Sequence, residues 1–192
     1  NLALANGSGS ASNYSINSLT AEITGKSVTI SGSRLYDSTT TASSSILTVT
    51  SGVSGESLSL TGSGVLGAAS AGSQTITNNN TLAIADGSGG LASNYTLSGA
   101  TINVTIIPRT LNVTLSREYD GTTAVSGASL TPTFDSLQGG ETLALSGTGS
   151  VSTANVGNSK AVSLGSIALV AGSGNPSNYS LNSATMNVTQ RV

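Results

Sequence analysis

The chain has 192 residues, no cysteine and no histidine, and its 8 acidic and 6 basic side chains give a net charge of −2. Charged residues are only 7% of the sequence, which excludes the basic surface that nucleic-acid binding requires. Without histidine or cysteine a serine or threonine nucleophile lacks its usual base, and a zinc site of these ligands is excluded. We therefore expect neither an enzyme nor a nucleic-acid partner, and no cofactor.

Apolar residues alternate with small polar ones along the chain, which is the period-two pattern of strands with one buried face. In chain order the pattern covers residues 28–31, 57–60, 100–106, 110–116 and 186–188. In the second half it predicts strands near 109–116, 127–134, 141–147, 159–164, 167–171, 178–182 and 184–190. Since no segment has a 3.6-residue apolar stripe, we predict an all-β protein.

Three short motifs recur with a period of about 83 residues. Ser-Asn-Tyr ends at Tyr14, Tyr95 and Tyr179; Tyr36-Asp37 recurs as Tyr119-Asp120; and a Gly-Glu-x-Leu-x-Leu motif begins at Gly55 and at Gly140. A period this long indicates independent domains rather than coils of a solenoid. We divide the chain into the end of a preceding copy at 1–24, a complete unit at 25–107 and a second complete unit at 108–192. Segment 1–24 should stay unpaired or add to an exposed sheet edge.

About seven short strands in each unit favour tandem immunoglobulin-like antiparallel β-sandwiches. A β-grasp-like module or a small barrel is the alternative. The units are joined by Ile106, Ile107, Pro108 and Arg109 without a flexible glycine and serine linker. Pro108 restricts the backbone, so we expect the units to be held end to end in a monomeric, semi-rigid rod, with one isoleucine in a core and the other at the interface.

The repeated motifs resemble a known family. Tyr119-Asp120-Gly121, the later Gly-Glu-x-Leu-x-Leu motif and the Ser-Asn-Tyr-x-Leu ending are similar to the signature of YDG domains and of the related "mostly β, glycine-rich" (MBG) repeats. The first unit has Ser38 in the position of Gly121. The resemblance implies a repeat region of a large secreted bacterial adhesin similar to filamentous haemagglutinins, at the cell surface or in biofilms. Its partners would then be neighbouring repeats.

The repeated residues have structural and functional interpretations. Tyr36 and Tyr119 are predicted to fill the core, with their hydroxyls bonded to backbone; the alternative is a binding aromatic. Asp37 and Asp120 are predicted to form Asx turns, with calcium binding as the alternative. The tyrosines that precede the last strand are predicted to lock that strand, with carbohydrate stacking as the alternative; they are Tyr14, Tyr95 and Tyr179.

Asn-x-Ser/Thr sequons are frequent. The candidates for glycosylation are Asn13, Asn94, Asn103, Asn112, Asn178 and Asn187. The plainer interpretation is that asparagine and threonine populate the outer faces of strands.

The function that these observations favour is a stalk or spacer that projects a distal binding domain. An adhesive module that contacts glycans, matrix polysaccharide or other cells is the alternative, although 3% aromatic residues and no tryptophan count against it. An ice-binding threonine face is a further alternative. No run of apolar residues is long enough to predict membrane insertion.

Overall fold

The computed structural model describes residues 2–192, in which all regular structure is β-strand or short 3-10 turn. The first unit contains β1 (Lys26–Leu35), β2 (Thr41–Ser43), β3 (Leu47–Thr50), β4 (Leu58–Thr61), β5 (Ser63–Leu66), β6 (Gly72–Gln74), β7 (Ile76–Asn78), β8 (Ala83–Asp86) and β9 (Tyr95–Ile107). The second contains β10 (Arg109–Glu118), β11 (Ala124–Ser126), β12 (Thr133–Phe134), β13 (Leu143–Ser146), β14 (Thr148–Val151), β15 (Gly157–Ser163), β16 (Ala168–Ala171) and β17 (Tyr179–Thr189). The predicted all-β class and the two tandem modules are confirmed.

The 3-10 turns are three residues long and span Ala11–Asn13, Ser44–Ile46, Ala92–Asn94, Gly127–Ser129 and Pro176–Asn178. Three of them end immediately before the tyrosine of a Ser-Asn-Tyr motif. In the second unit the side chain of Asn175 accepts a hydrogen bond from the Ser177 amide, and Pro176 supplies a preset φ at the start of the turn. The turn thereby fixes where the last strand of the unit begins.

In both units the first and last strands lie side by side and run parallel. β1 pairs with β9 over nine residue pairs, and β10 pairs with β17 over ten. The remaining strand pairings are antiparallel, apart from one isolated bridge between Ser57 and Gly89. This central parallel pair differs from the purely antiparallel pairing of an immunoglobulin-like sandwich. The alternating pattern could not reveal it, because the burial of one strand face is the same for either partner direction.

The sheets of the two units have the same plan with one difference. In the second unit β15 bridges β14 and β17, which gives one six-stranded sheet in the order β11-β14-β15-β17-β10-β12. In the first unit the equivalent strand is divided into β6 and β7, so a four-stranded sheet, β3-β1-β9-β6, lies beside a three-stranded one, β2-β5-β7. A two-stranded ribbon completes each unit, β4-β8 in the first and β13-β16 in the second.

Two predicted strand boundaries in the second unit are wrong. The strands predicted at 178–182 and 184–190 form the single strand β17, in which a register shift lies opposite Leu111 and Asn112. The strand predicted at 127–134 is a 3-10 turn at Gly127–Ser129 followed by the two-residue strand β12.

The apolar residues form three buried clusters. One lies within the first unit and includes Val28 and Ile30, and one lies within the second and includes Leu115 and Met186. The third crosses from one unit to the other; it consists of Tyr36, Ala42, Leu66, Val104, Ile106, Leu111, Leu143 and Tyr179. A continuous apolar cluster therefore joins the units.

Residues 2–24 form no strand, and the side chain of Tyr14 is 71% exposed. Of the two expectations for this segment, the structure shows the unpaired one. Asn1 lies outside the described residues. Within residues 2–192, no helix has the length and apolar character that crossing a membrane would require.

Candidate functional site: the junction between the units

Tyr36 is the centre of the contact between the units. It follows the last residue of β1, and its amide donates a hydrogen bond of 2.9 Å to the carbonyl of Ile107 at the end of β9. The parallel pairing of β1 and β9 therefore brings Tyr36 to the end of the first unit from which the chain leaves. Its side chain is only 3% exposed, because it inserts into the cluster that both units share.

A carboxylate of the second unit holds two tyrosine hydroxyls, and we call this group of Tyr36, Glu141 and Tyr179 the tyrosine clamp. The hydroxyl of Tyr36 donates to Oε1 of Glu141 at 2.6 Å, and the hydroxyl of Tyr179 donates to Oε2 at 2.5 Å. The two rings pack edge to face, with centroids 5.3 Å apart and an interplanar angle of 78°. Because both hydrogen bonds have a charged acceptor, each is stronger than a neutral one.

Each partner in the clamp is positioned by its own unit. Glu141 lies two residues before β13, which begins at Leu143, and its amide donates to the carbonyl of Gln138 at 2.9 Å. The hydroxyl of Tyr179 also accepts a hydrogen bond of 3.0 Å from the amide of Gln138. Tyr179 thus connects the start of the last strand to the loop that carries Glu141. The position of the Glu141 carboxylate is therefore set by contacts within the second unit.

Backbone contacts reinforce the clamp on either side. The guanidinium of Arg109 donates from Nε to the carbonyl of Tyr36 at 2.9 Å. On the other side, Oδ1 of Asn178 accepts a hydrogen bond of 2.9 Å from the amide of Ala71. Both contacts join one unit to the other, and both satisfy polar groups at a partly buried interface.

The predicted junction residues have different roles. Ile106 is buried in the shared cluster, whereas the side chain of Ile107 is largely exposed. The expectation that the second isoleucine packs at the interface is therefore wrong, since successive strand residues point to opposite faces and the face of Ile107 lies toward solvent. Pro108 is exposed, and the contribution of Ile107 is its carbonyl.

The equivalent tyrosine of the second unit, Tyr119, has the same backbone setting and a different environment. Its amide donates to the carbonyl of Thr189 at 2.9 Å, as that of Tyr36 does to Ile107. Its side chain is nevertheless 41% exposed, against 3% for Tyr36. The prediction that both tyrosines fill their own cores with hydroxyls bonded to backbone is thus wrong: Tyr36 owes its burial to the neighbouring unit and bonds a carboxylate.

The aspartates after these tyrosines stabilise their turns. Oδ1 of Asp37 accepts from the amide of Thr39 at 2.9 Å, and Oδ1 of Asp120 accepts from the amide of Thr122 at 2.9 Å, which are Asx-turn bonds. Ser38 has φ of +63° where Gly121 has +76°, so the serine accepts the same left-handed conformation. Hydrogen bonds from the Thr122 backbone and side chain lower the pKa of Asp120 despite the opposing effect of burial.

The two carboxylates are engaged by Arg34 and Arg117 of the preceding strands as well. Within residues 2–192 no group of three or more His, Cys, Asp or Glu side chains is placed to hold a metal ion.

The tyrosines of the three Ser-Asn-Tyr motifs also differ from one another in burial. Tyr179 and Tyr95 each lie buried at the start of the last strand, and Tyr95 donates its hydroxyl to Oε2 of Glu56, the equivalent of Glu141. Tyr14 forms no such lock, because residues 2–24 have no strand to anchor. The structure places no exposed aromatic ring at Tyr95 or Tyr179 on which a sugar could stack.

The sequons separate into buried and exposed sites. Asn178 is buried and hydrogen-bonded to Ala71, so its amide cannot be modified in the folded protein. Asn112 and Asn187 also use their side chains, on Asp135 and on the Ser159 amide respectively. The remaining candidates are exposed; they are Asn13, Asn94 and Asn103.

The repeats in the sequence identified Tyr36 and Tyr179, but they did not predict that the two side chains contact each other. Glu141 was visible only as one letter of a repeated motif. A glutamate stands at the same position of both repeats, as Glu56 and Glu141, in Gly/Ser-rich surroundings that otherwise vary. Because only 7% of the residues are charged, this repetition could have indicated that the glutamate has a physical role.

The clamp changes the titration of its tyrosines. Burial, followed by the hydrogen bond to Glu141, raises the pKa of Tyr36 from 10.0 to about 12. Burial and Glu141 also raise the pKa of Tyr179. Since the folded pKa lies above the unfolded one, Tyr36 contributes its full stabilisation below about pH 10 and loses it as the pH rises through about 12.

Alkaline titration should show this directly. We expect absorbance of tyrosinate to include a step near pH 12 that Tyr36→Phe removes. Tyr119→Phe is the matched control and should leave that step in place. A step that survives Tyr36→Phe unchanged would contradict the assignment.

Comparison with family models places the chain in a known family. The model of the YDG domain matches residues 20–103 and again residues 105–186. The chain therefore belongs to the YDG domain family and contains two YDG domains in tandem. No curated protein and no solved structure matches the chain.

Proposed function

We propose that the chain is part of the stalk of a secreted bacterial surface adhesin, in which YDG units set the distance and direction of a distal binding domain. The observation that carries the proposal is the buried tyrosine clamp, which fixes one unit on the next through a shared apolar cluster and charge-assisted hydrogen bonds. A chain of independent binding modules would need no such interface.

The composition supports the same function. The outer strand faces carry serine and threonine rather than many charges, and aromatic residues are only 3% of the sequence. The large aromatic side chains that dominate binding hot spots are used at the junction instead, at Tyr36 and Tyr179. An extracellular, cell-surface location belongs to this proposal.

Small-angle X-ray scattering tests the spacer function. We expect the natural chain to scatter as a pair of units with one relative orientation. Tyr36→Ala removes the ring from the shared cluster and one hydrogen bond to Glu141, so each unit should stay folded while the scattering shows interdomain flexibility and a broader distribution of distances.

The matched control is Tyr119→Ala, which removes the equivalent tyrosine from the outer end of the second unit. Its scattering should equal that of the natural chain. If circular dichroism shows both units of the Tyr36→Ala variant to be folded, and its scattering shows the same rigidity as that of the natural chain, the result argues against the spacer function.

A further inference from the structure

We propose that the two outer ends of this chain are the two halves of a second tyrosine clamp. In this contact the Tyr119 end of the second unit docks on the Glu56 end of the first unit of a second copy. The inference rests on the proposed function and deepens it by naming the partner surface and the residues that form it.

The Tyr119 end is preorganised like the Tyr36 end. The Asx bond from the Thr122 amide and the bond from the Tyr119 amide to Thr189 reproduce those around Tyr36, with the same lengths of 2.9 Å. Val156 precedes Gly157 of β15, and Gly157 pairs with Val188 as Gly72 pairs with Ile106. Val156 therefore takes the position of Ala71, and it is 49% exposed.

The Glu56 end is preorganised like the Glu141 end. Tyr95 donates its hydroxyl to Oε2 of Glu56, which is the oxygen that accepts from Tyr179 in Glu141. Within residues 2–192, Oε1 of Glu56 has no hydrogen-bond partner, whereas Oε1 of Glu141 accepts from Tyr36. Asn94 is exposed, although its equivalent Asn178 is buried by contact with Ala71.

The small residues at these ends are complementary. At the internal junction Ser38 lies so close to Gly139 that a Cβ atom on Gly139 would be 2.8 Å from the serine Oγ. At the outer ends the two residue types are exchanged: Gly121 takes the place of Ser38, and Ser54 takes the place of Gly139. The pair of ends again combines one serine with one glycine, so only one of the two facing positions carries a side chain.

The two ends carry different surfaces, so the contact they form is heterologous. Such a contact does not close on itself in a dimer and repeats from copy to copy as a linear array. The hydrogen-bonding groups are also matched, because the phenol of Tyr119 would donate to Oε1 of Glu56 as the phenol of Tyr36 donates to Oε1 of Glu141.

Tyrosine accessibility in a lengthened chain tests the proposal. The tested protein consists of residues 1–190 followed directly by a second copy of residues 26–107, since Gln190 takes the position of Pro108 before the first strand. Tyr36→Phe in the appended copy leaves one Tyr36 and one Tyr119. Nitration by tetranitromethane, followed by mass spectrometry, then measures each ring separately.

In a solution dilute enough to keep separate copies apart, we expect Tyr119 to be nitrated rapidly in the natural chain and at least about tenfold more slowly in the lengthened one, because reaction then requires the docked units to open. Tyr36 should be protected in both proteins and Tyr14 in neither. Glu56→Ala in the appended copy should restore the reactivity of Tyr119. If the appended unit does not fold alone, the same measurement applies to residues 1–190 followed by a copy of residues 26–190 that carries Tyr119→Phe, which keeps the Glu56 end as the partner surface.

A Tyr119 that reacts equally fast in the natural and lengthened chains overturns the inference. It leaves the spacer function intact as long as Tyr36 stays protected. A reactive Tyr36 in the natural chain overturns both, because the internal junction on which the inference is built would then be open.

Discussion

Glu141→Ala should separate the two units while leaving each of them folded. The substitution removes the acceptor of two charge-assisted hydrogen bonds at a largely buried contact. It leaves the Tyr36 hydroxyl unpaired and the Tyr179 hydroxyl with only its bond from the Gln138 amide. Only the bond from Tyr36 crosses the junction, and hydrogen bonds to a charged group contribute about 1.5–3 kcal/mol each. Because Glu141 is half-buried, we expect a loss of about 2 kcal/mol in the free energy that couples the units. Chemical denaturation should then change from one cooperative transition toward two.

The matched control is Glu56→Ala in the first unit. Within residues 2–192 the carboxylate of Glu56 accepts only from Tyr95, so its removal should cost about 1–2 kcal/mol within that unit and leave the coupling unchanged. Equal effects of the two substitutions on the coupling would show that Glu141 is merely an internal lock of its own unit.

Leu115→Ala should unfold the second unit first. Leu115 is fully buried in the cluster that includes Val113, Val125 and Met186, and truncation of a buried leucine to alanine typically costs about 3–4 kcal/mol through lost burial and the cavity that remains. Thermal unfolding monitored by circular dichroism should show the loss, and hydrogen exchange should locate it in β10 and β17.

The chemical reactivity of Tyr36 gives a second measurement on the Leu115→Ala variant. When the second unit unfolds, Tyr36 loses Glu141 and Tyr179, so its ring should become reactive while β1 and β9 stay protected. Leu91→Ala, at an exposed position, should change stability by less than about 0.5 kcal/mol. Loss of protection in both units at once under Leu115→Ala would contradict independent folding.

Much of the fold could be predicted because the sequence repeats it. Val113 and Leu115 alternate with polar neighbours, and the same alternation at Val28 and Ile30 identifies the equivalent strand one period earlier. The repeat also predicted a boundary near Pro108. Such patterns depend on burial of one strand face, and the structure buries the faces that they indicate.

The pairing of strands could not be predicted, because partner choice depends on contacts between distant residues. Lys26 and Tyr95 begin the parallel pair of the first unit, and nothing local to either residue specifies the other. The same limit applies to the site. Tyr36 and Glu141 are 105 positions apart and belong to different units, so only the docked structure reveals their bond.

Repeated residues also turned out to have unequal roles. Tyr36 and Tyr119 are equivalent in sequence and in backbone hydrogen bonding, yet the exposure of their rings differs because only one contacts a neighbouring unit. A repeat pattern therefore predicts the conformation of each copy better than it predicts the environment of each copy.

The parallel neighbours at the centre of each unit determine how the chain would respond to tension. The chain enters the second unit at Arg109, at the start of β10, and leaves it at Thr189, at the end of β17. Because these strands run in the same direction and pair over ten residue pairs, a pull on the two ends slides one strand along the other. The load is then shared by the whole hydrogen-bond ladder in shear, instead of breaking the bonds one after another as in an unzipping hairpin.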